Sequence, residues 1–401
     1  MRLVPVSPQH LRLNEPLPFG LRDEDGRLLL VAGACIDSAE RLAAMRAHAL
    51  FSEESESADW HRRLAATMDA MLRGNATLGQ LAAARPDQAQ REAAAVKTQT
   101  LQEQWETLAM QLDAVLRDVR AGGDWLTRLM GVHARARGLA ERRFDASLYH
   151  LVYTAGQSTE KYSAHHALLT LLICEHAAPL LGWPQSHTDT LGRAALTMNV
   201  AMVRLQDLLA QSDLKPTTEM RQQIDSHAAA GAELLEEAGM KDRLCCEVVR
   251  LHHDSTPLQA PLNELAPERR LAWLLRRVDI FCAKMSRRRT RIPMSPVQAA
   301  REACLGVDGV PDEIGAALLK AVGLYPPGSF VELVSGELGI VIARGRRANL
   351  PFVASLVSAS GAPLGEPALR DTLDRRYTVK ASVPMSSVNV RPPHDRLLAM
   401  R

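Results

Sequence analysis

Aromatic residues are scarce in this chain of 401 residues: Phe, Trp and Tyr together make up 4%. That argues against a β-sandwich, whose strands draw on aromatic and β-branched side chains. Net charge is nearly absent too, at +2, so no overall field points to nucleic acid or an acidic membrane surface. The six cysteines (Cys35, Cys174, Cys245, Cys246, Cys282, Cys304) include no C-x-x-C pair. Reduced thiols and a cytoplasmic location are the simplest expectation. Met1 to Leu13 has no continuous apolar core with a small-residue cleavage site, so no signal peptide is expected. The most apolar stretch, Ala167 to Trp183, is interrupted by Glu175, His176 and Pro179 and reads as too short and too polar to span a bilayer.

What is present points to helices. Hydrophobic residues reach 46%, enough for a packed core, and Ala and Leu dominate them. The length exceeds what one core holds, so two or three structural units are expected. Residues 1–58 carry a strand signal: Leu17–Leu21 and Leu28–Val31 flank the Asp-Gly turn in Asp23–Gly26. A short helix from Ser38 to Ala49 follows, and the acidic run Ser52–Asp59 reads as a solvated linker.

Residues 59–121 read as a helical connector. Leu101, Trp105, Leu108, Leu112, Val115 and Val119 step by alternating fours and threes, an a/d seam. Such a seam suits an ordinary helix packed on its own domain, or a helix that joins two copies into a homodimer. Residues 122–325 are helical almost throughout, with breaks at Gly182–Pro184, Lys215–Thr218, Pro257, Pro261 and Pro293–Pro296. Thr217–Thr218–Glu219 supplies N-cap chemistry for the helix bearing His227. After Tyr325–Gly328 the period changes to strands over 326–401. Phe330–Val334 and Leu338–Ala343 flank a Ser-Gly-Glu turn, and Asn349–Val357 is a third candidate. The expected fold is mainly α, a helical bundle with small β modules at both termini.

Among 13 histidines, those of the helical region fall in an order: His166, His227, the pair His252–His253, then Asp279. Imidazole and carboxylate ligands converging from several helices are how bundles build metal sites. The surrounding blocks resemble the HD-GYP branch of the HD phosphohydrolases over about residues 150–345. Tyr162–His166 is similar to the family's first histidine block, and Gly192–Asn199 to the approach to its H-D-x-G-K signature. Thr217–Glu219 through His227 to Leu235 is similar to its T-x-x-E…H-P-x-x-G block. Leu251–Asp254 is similar to H-H-E, Arg277–Phe281 with Arg288 and Arg291 to D-x-x-D…R-x-x-[RK], and Leu324–Val331 to Y-P-x-G and the strand after it. The related HDOD group is similar in fold. The T-x-x-E…H block, the paired histidines and Y-P-x-G favour HD-GYP.

The resemblance implies an HD-type bundle that holds two or three transition metals and hydrolyses cyclic di-GMP in a bacterial signalling pathway. The carry-over fails at the centre. Met198 stands for the signature His and Asn199 for the bridging Asp; Ala201 and Met202 replace the Gly and the phosphate-facing Lys. A thioether and an amide are poor ligands for Fe or Mn. Ser255–Leu258 stands where Gly-Tyr-Pro belongs, and Cys282 replaces the second Asp. No catalytic residue is therefore expected.

Of the family's ligand positions, His166, His227, His252, His253 and Asp279 remain. His227, His252 and His253 are expected to persist as polar bundle residues with no cofactor, the alternative being a site for one Zn, Fe or Mn ion. His166 and Asp279 are expected as packing relics, hydrogen-bonded to each other. Arg288 and Arg291 fall where the family places phosphate-binding residues, within an arginine run that equally suits solvated surface. The function implied is an inactive HD-GYP-like protein acting through a protein partner or through a nucleotide such as cyclic di-GMP. A phosphodiesterase with a reduced metal site is the alternative. No recognition-helix motif accompanies the basic run, so no DNA partner is expected.

Overall fold

A computed structural model of the chain describes residues 2–8, 11–13, 15–73, 99–256, 260–305 and 309–400. The expected helix through 74–98 and the break at Pro257 lie outside these. The mainly α class with a β module towards each end holds. The chain forms two compact units, Met1–Thr107 and Leu108–Arg401. The division falls inside the segment read as a connector, and residues 122–325 and 326–401 belong to one unit.

In the first unit, β1 (Leu3–Pro5), β2 (Leu21–Arg22), β3 (Leu28–Leu30) and β4 (Phe51–Glu53) form an antiparallel sheet of order β1-β4-β2-β3. Leu17, Phe19, Leu21, Ile36 and Leu50 fill its core. Ser38 caps α1 (Ala39–Arg46), accepting from Arg41 N at 3.4 Å. The acidic run is not a linker. Its start is β4, with Ser52 fully buried, and the rest opens α2 (Glu54–Arg73). Glu54 and Glu56 lie in the first turn of α2, where the helix dipole favours carboxylates. Glu56 also accepts from Gly20 N at 2.9 Å, and Glu53 pairs with buried Arg22. Local charge density suggested solvent; partners distant in sequence decided otherwise.

The helix α3 (Leu101–Leu116) ends before Val119, and Leu101, Trp105, Leu108, Leu112 and Val115 are all buried within the chain. The seam therefore serves as an internal packing face, and it is not open to a second copy.

The second unit is a bundle with α4 (Trp125–Gln157, kinked at Arg143), α5 (Tyr162–Ala177), α6 (Gln185–Thr197), α7 (Val203–Gln211), α8 (Thr218–Glu237), α9 (Arg243–Leu251), α10 (Pro267–Met285), α11 (Pro296–Cys304) and α12 (Glu313–Val322). The hub is α5, which packs on α4, α6, α10 and α12. Together with the 3-10 turn after it, Tyr162–Leu181 is long and apolar enough to cross a membrane by length and composition alone. That span is 72% buried within the protein, because a helix surrounded by helices is apolar on every side.

The unit closes on an antiparallel sheet of β5 (Phe330–Leu333), β6 (Leu338–Ala343), β7 (Phe352–Val357), β8 (Pro363–Asp371) and β9 (Val379–Val383), in the order β8-β7-β6-β5-β9, followed by α13 (His394–Ala399). Tyr149 of α4 packs with Phe330, Ile340, Leu356 and Leu397 in one core, so this sheet is joined to the bundle. Gly328 makes the close approach possible. It adopts φ 91°, and a Cβ there would stand 2.4 Å from Tyr149 O.

Candidate metal centre

Four elements bring the histidines together. Thr217 caps α8, its hydroxyl accepting from Met220 N at 3.3 Å, and three turns on α8 presents His227, which is buried. Asp242 caps α9 by accepting from Cys245 N at 3.0 Å. At the far end of α9, His252 is the C-cap residue and fully buried, with exposed His253 next to it. Asp207 of α7 accepts from Ser163 N at 2.8 Å and so fixes the first turn of α5, which carries Tyr162 and His166. The fourth element, α10, carries Asp279.

The Nδ1 of His227 lies 2.5 Å from Ile224 O, and the Nδ1 of His252 lies 2.6 Å from Val249 O. A carbonyl only accepts, so both Nδ1 atoms carry the proton. Burial lowers the pKa of both rings, His252 to about 3 with help from His253, so both are neutral at pH 7. Each Nε2 is then a bare lone pair, and the two face each other at 3.3 Å. The His253 ring centre lies 4.8 Å from that of His227 and 4.2 Å from that of His252. One nitrogen from each of the three lies within 4.8 Å of the others. Tetrahedral zinc at 2.0–2.1 Å from nitrogen needs ligand nitrogens roughly 3.3–3.4 Å apart. His227 and His252 fit that edge, and a nitrogen of exposed His253 lies within 4.8 Å of theirs. Three imidazoles are donors of the kind that an ion of the zinc class takes.

His166 and Asp279 form a separate pair, with Nε2–H donating to Oδ1 at 2.7 Å. Burial alone would raise the Asp279 pKa. The hydrogen bond from His166 and the nearby imidazoles outweigh it and lower the value to about 2. Asp279 is thus an anion held beside the histidines. Cys282, one turn later, is buried, which pushes its thiol up and keeps it protonated, a poor ligand. Met198 is the buried C-cap residue of α6, with Asn199 buried beyond it and Met202 half-buried. Asp254 is committed elsewhere, accepting from Thr256 N at 2.8 Å and from Arg269 at 3.0 Å.

Over 206 residues, 51% of the chain, 25% of positions are identical to a cyclic di-GMP phosphodiesterase of Pseudomonas aeruginosa. That similarity is weak, and the chain spans about half (50%) of that relative's length. Among solved structures it is similar to an HDG"Y"P protein from Bdellovibrio bacteriovorus, with a TM-score of 0.37 and 13% identity, over 79% of this chain and 98% of the other. No protein-family model matches the chain.

Arg288 and Arg291 line a cavity whose walls include none of the three histidines. They close a tight turn after α10, with Arg288 N donating to Arg291 O and Arg291 N to Arg288 O, at 3.3 and 3.0 Å. Arg288 donates to Tyr162 Oη at 3.1 and 3.3 Å and lies over that ring, which in turn stacks on His166. Arg291 donates to Ala283 O at 2.5 Å. Both are half-buried, whereas Arg287 and Arg289 are exposed. Both arginines line a cavity at the sheet, whose walls include none of His166, His227, His252, His253 or Asp279. The role of Tyr162 as the link between arginine turn and His166 had no sequence signal beyond its place in the first block.

Proposed function

We propose that this chain is an HD-GYP-like signalling protein that works by binding a protein partner or a nucleotide and does not hydrolyse cyclic di-GMP. The observation that carries this is the occupation of the signature positions by Met198 and Asn199 at the end of α6. Hydrolysis of a phosphodiester between two metals needs an anionic bridging ligand that also acidifies the bound water. A thioether and a neutral amide supply neither. Asp279, the carboxylate nearest the histidines in charge coupling, is already engaged by His166. The similarity to a cyclic di-GMP phosphodiesterase supports nucleotide chemistry as the ancestral theme.

A second reading, a metal-dependent phosphohydrolase with a reduced site, draws on the 3.3 Å approach of the His227 and His252 Nε2 atoms. In it His227, His252 and His253 hold one zinc-class ion, which when bound lowers the pKa of water. The His166–Asp279 pair keeps an anion nearby.

The deciding experiment combines elemental analysis of the full chain, purified without chelator, with a cyclic di-GMP turnover assay in added Mn, Fe or Zn. No turnover in any metal is the expected result. Turnover abolished by His253→Ala would overturn the binding reading in favour of the reduced enzyme.

A further inference from the structure

The two edges of the C-terminal sheet differ. At one edge, β8 is largely exposed but carries Pro363 and Pro367, and prolines blunt an edge because they cannot donate to a neighbouring strand. At the other, β9 reads Val-Lys-Ala-Ser-Val, with no proline before Pro384 ends it. Among the described residues no strand pairs with β9 on its outer side. Alternate residues of an edge strand direct their N–H and C=O groups away from the sheet, so β9 presents backbone donors and acceptors there.

The end of β9 forms part of the wall of a cavity of about 780 Å³ shared with the arginine turn and the end of α4. Ser382 and Val383 line it, with Met285, Phe330 and Met385 as an apolar wall. The Oγ of Ser382 is buried without a hydrogen-bond partner. Arg287 and Arg289, both exposed, also line the cavity, and no Asp or Glu does. Arg289 meets Asp213 at 2.7 Å, an exposed ion pair of the weak kind, and no carboxylate pairs with Arg287 among the described residues. Arg288 and Arg291 are already engaged, by Tyr162 Oη and by Ala283 O.

These features favour one kind of occupant. Outward-facing backbone groups suit an extended chain that pairs through main-chain hydrogen bonds, with pockets beside the strand taking its side chains. Positive charge without counter-charge suits carboxylates on that chain. The apolar wall suits an aliphatic side chain next to them. A helical partner would not pair with β9, and a small anion would leave both the edge and the apolar wall unused.

We propose that β9 is a docking edge for an extended acidic segment of a partner protein, which adds to the five-stranded sheet as a further strand and sets its carboxylates against Arg287 and Arg289. The inference rests on the binding function given above and names the chemistry of the partner.

The test follows the fluorescence anisotropy of a labelled peptide of alternating Glu and Val mixed with the full chain. Binding is expected below 1 mM, roughly the weakest affinity of biological use. A peptide with Gln in place of Glu is expected to bind roughly tenfold more weakly, and an Arg287→Glu/Arg289→Glu variant to show the same loss. Both arginines are exposed, and an unchanged thermal melt shows that this variant folds. Two further copies of the peptide, N-methylated on one or the other set of alternate residues, separate backbone pairing from charge. Only one side of an added strand bonds to β9, so one copy is expected to lose binding and the other to keep it. Equal binding by the two copies overturns the docking edge. Equal binding by the Glu and Gln peptides does so too, as does absence of binding at 1 mM. A dimeric chain that Arg287→Glu/Arg289→Glu turns into monomers makes a second copy the occupant and overturns the acidic partner. Turnover of cyclic di-GMP by a chain that binds the peptide sinks the non-hydrolytic reading alone. No turnover and no peptide binding sinks the docking edge alone.

Discussion

His227 and His252 point their Nε2 lone pairs at each other across 3.3 Å, because each has its Nδ1–H bound to a carbonyl one turn back on its own helix. Neither ring can rotate to relieve the contact without losing that bond. Backbone carbonyls orient the imidazoles of metal sites in the same way.

The capacity of that pair sets the first expectation. Dialysed against zinc, the full chain should retain no more than one equivalent, since Met198 and Asn199 offer no second binding set. A Met198→His/Asn199→Asp variant should raise the capacity above one. Elemental analysis after desalting checks it, and an unchanged capacity would show that α6 does not present these positions to the centre.

Acid sensitivity follows from the depressed histidine values. In chelator, His252 has a pKa of about 3 folded against about 6.5 unfolded, so the unfolded chain binds more protons in between. Its contribution to stability is complete above pH 6.5 and declines as pH falls, by about 1.4 kcal/mol per pH unit. His227 acts in the same direction. Asp279 extends the loss below about pH 4, towards its folded value of about 2. Urea unfolding at pH 7.5 and 5.5 should show a drop that shrinks in His252→Asn; an equal drop in both would contradict this origin.

Asp279→Ala should destabilise the chain by roughly 1–3 kcal/mol at pH 7, the cost of leaving the buried His166 N–H without its acceptor. Asp279→Asn keeps an oxygen at that position and should recover part of the loss. Denaturant midpoints of the two variants test the role: equal losses would point to the charge and not the hydrogen bond.

Gly328→Ala should cost roughly 3 kcal/mol or more, combining a left-handed φ of 91° with overpacking against α4. The added Cβ would meet Tyr149 O at 2.4 Å and Tyr153 N at 2.9 Å. Gly361→Ala, at φ 83° with nothing within 4 Å, is the control that carries the backbone strain alone and should be milder. Parallel thermal melts separate the two.

Much of this was legible in the chain because it is written locally. Thr217 caps its helix where the sequence placed N-cap chemistry, and Ser335–Gly336–Glu337 turns between β5 and β6. Caps, turns and periodicity are settled within a few residues, so sequence carries them. The acidic run misled because its charges are satisfied by Gly20 and Arg22, far away in the chain. The strands β8 and β9 went unread: β8 is largely exposed and carries Pro363 and Pro367. Its pairing with β7 decides it.

By itself the sequence determined the helical class, the order of the histidines and the presence of Met198, Asn199 and Cys282 among them, since identity and order need no folding. Only the tertiary structure decided that the α3 seam is covered, that Arg288 and Arg291 face a cavity apart from the histidines, and that two neutral imidazoles meet nitrogen to nitrogen. Those facts depend on where helices cross, and crossing is fixed by packing among side chains more than 20 residues apart.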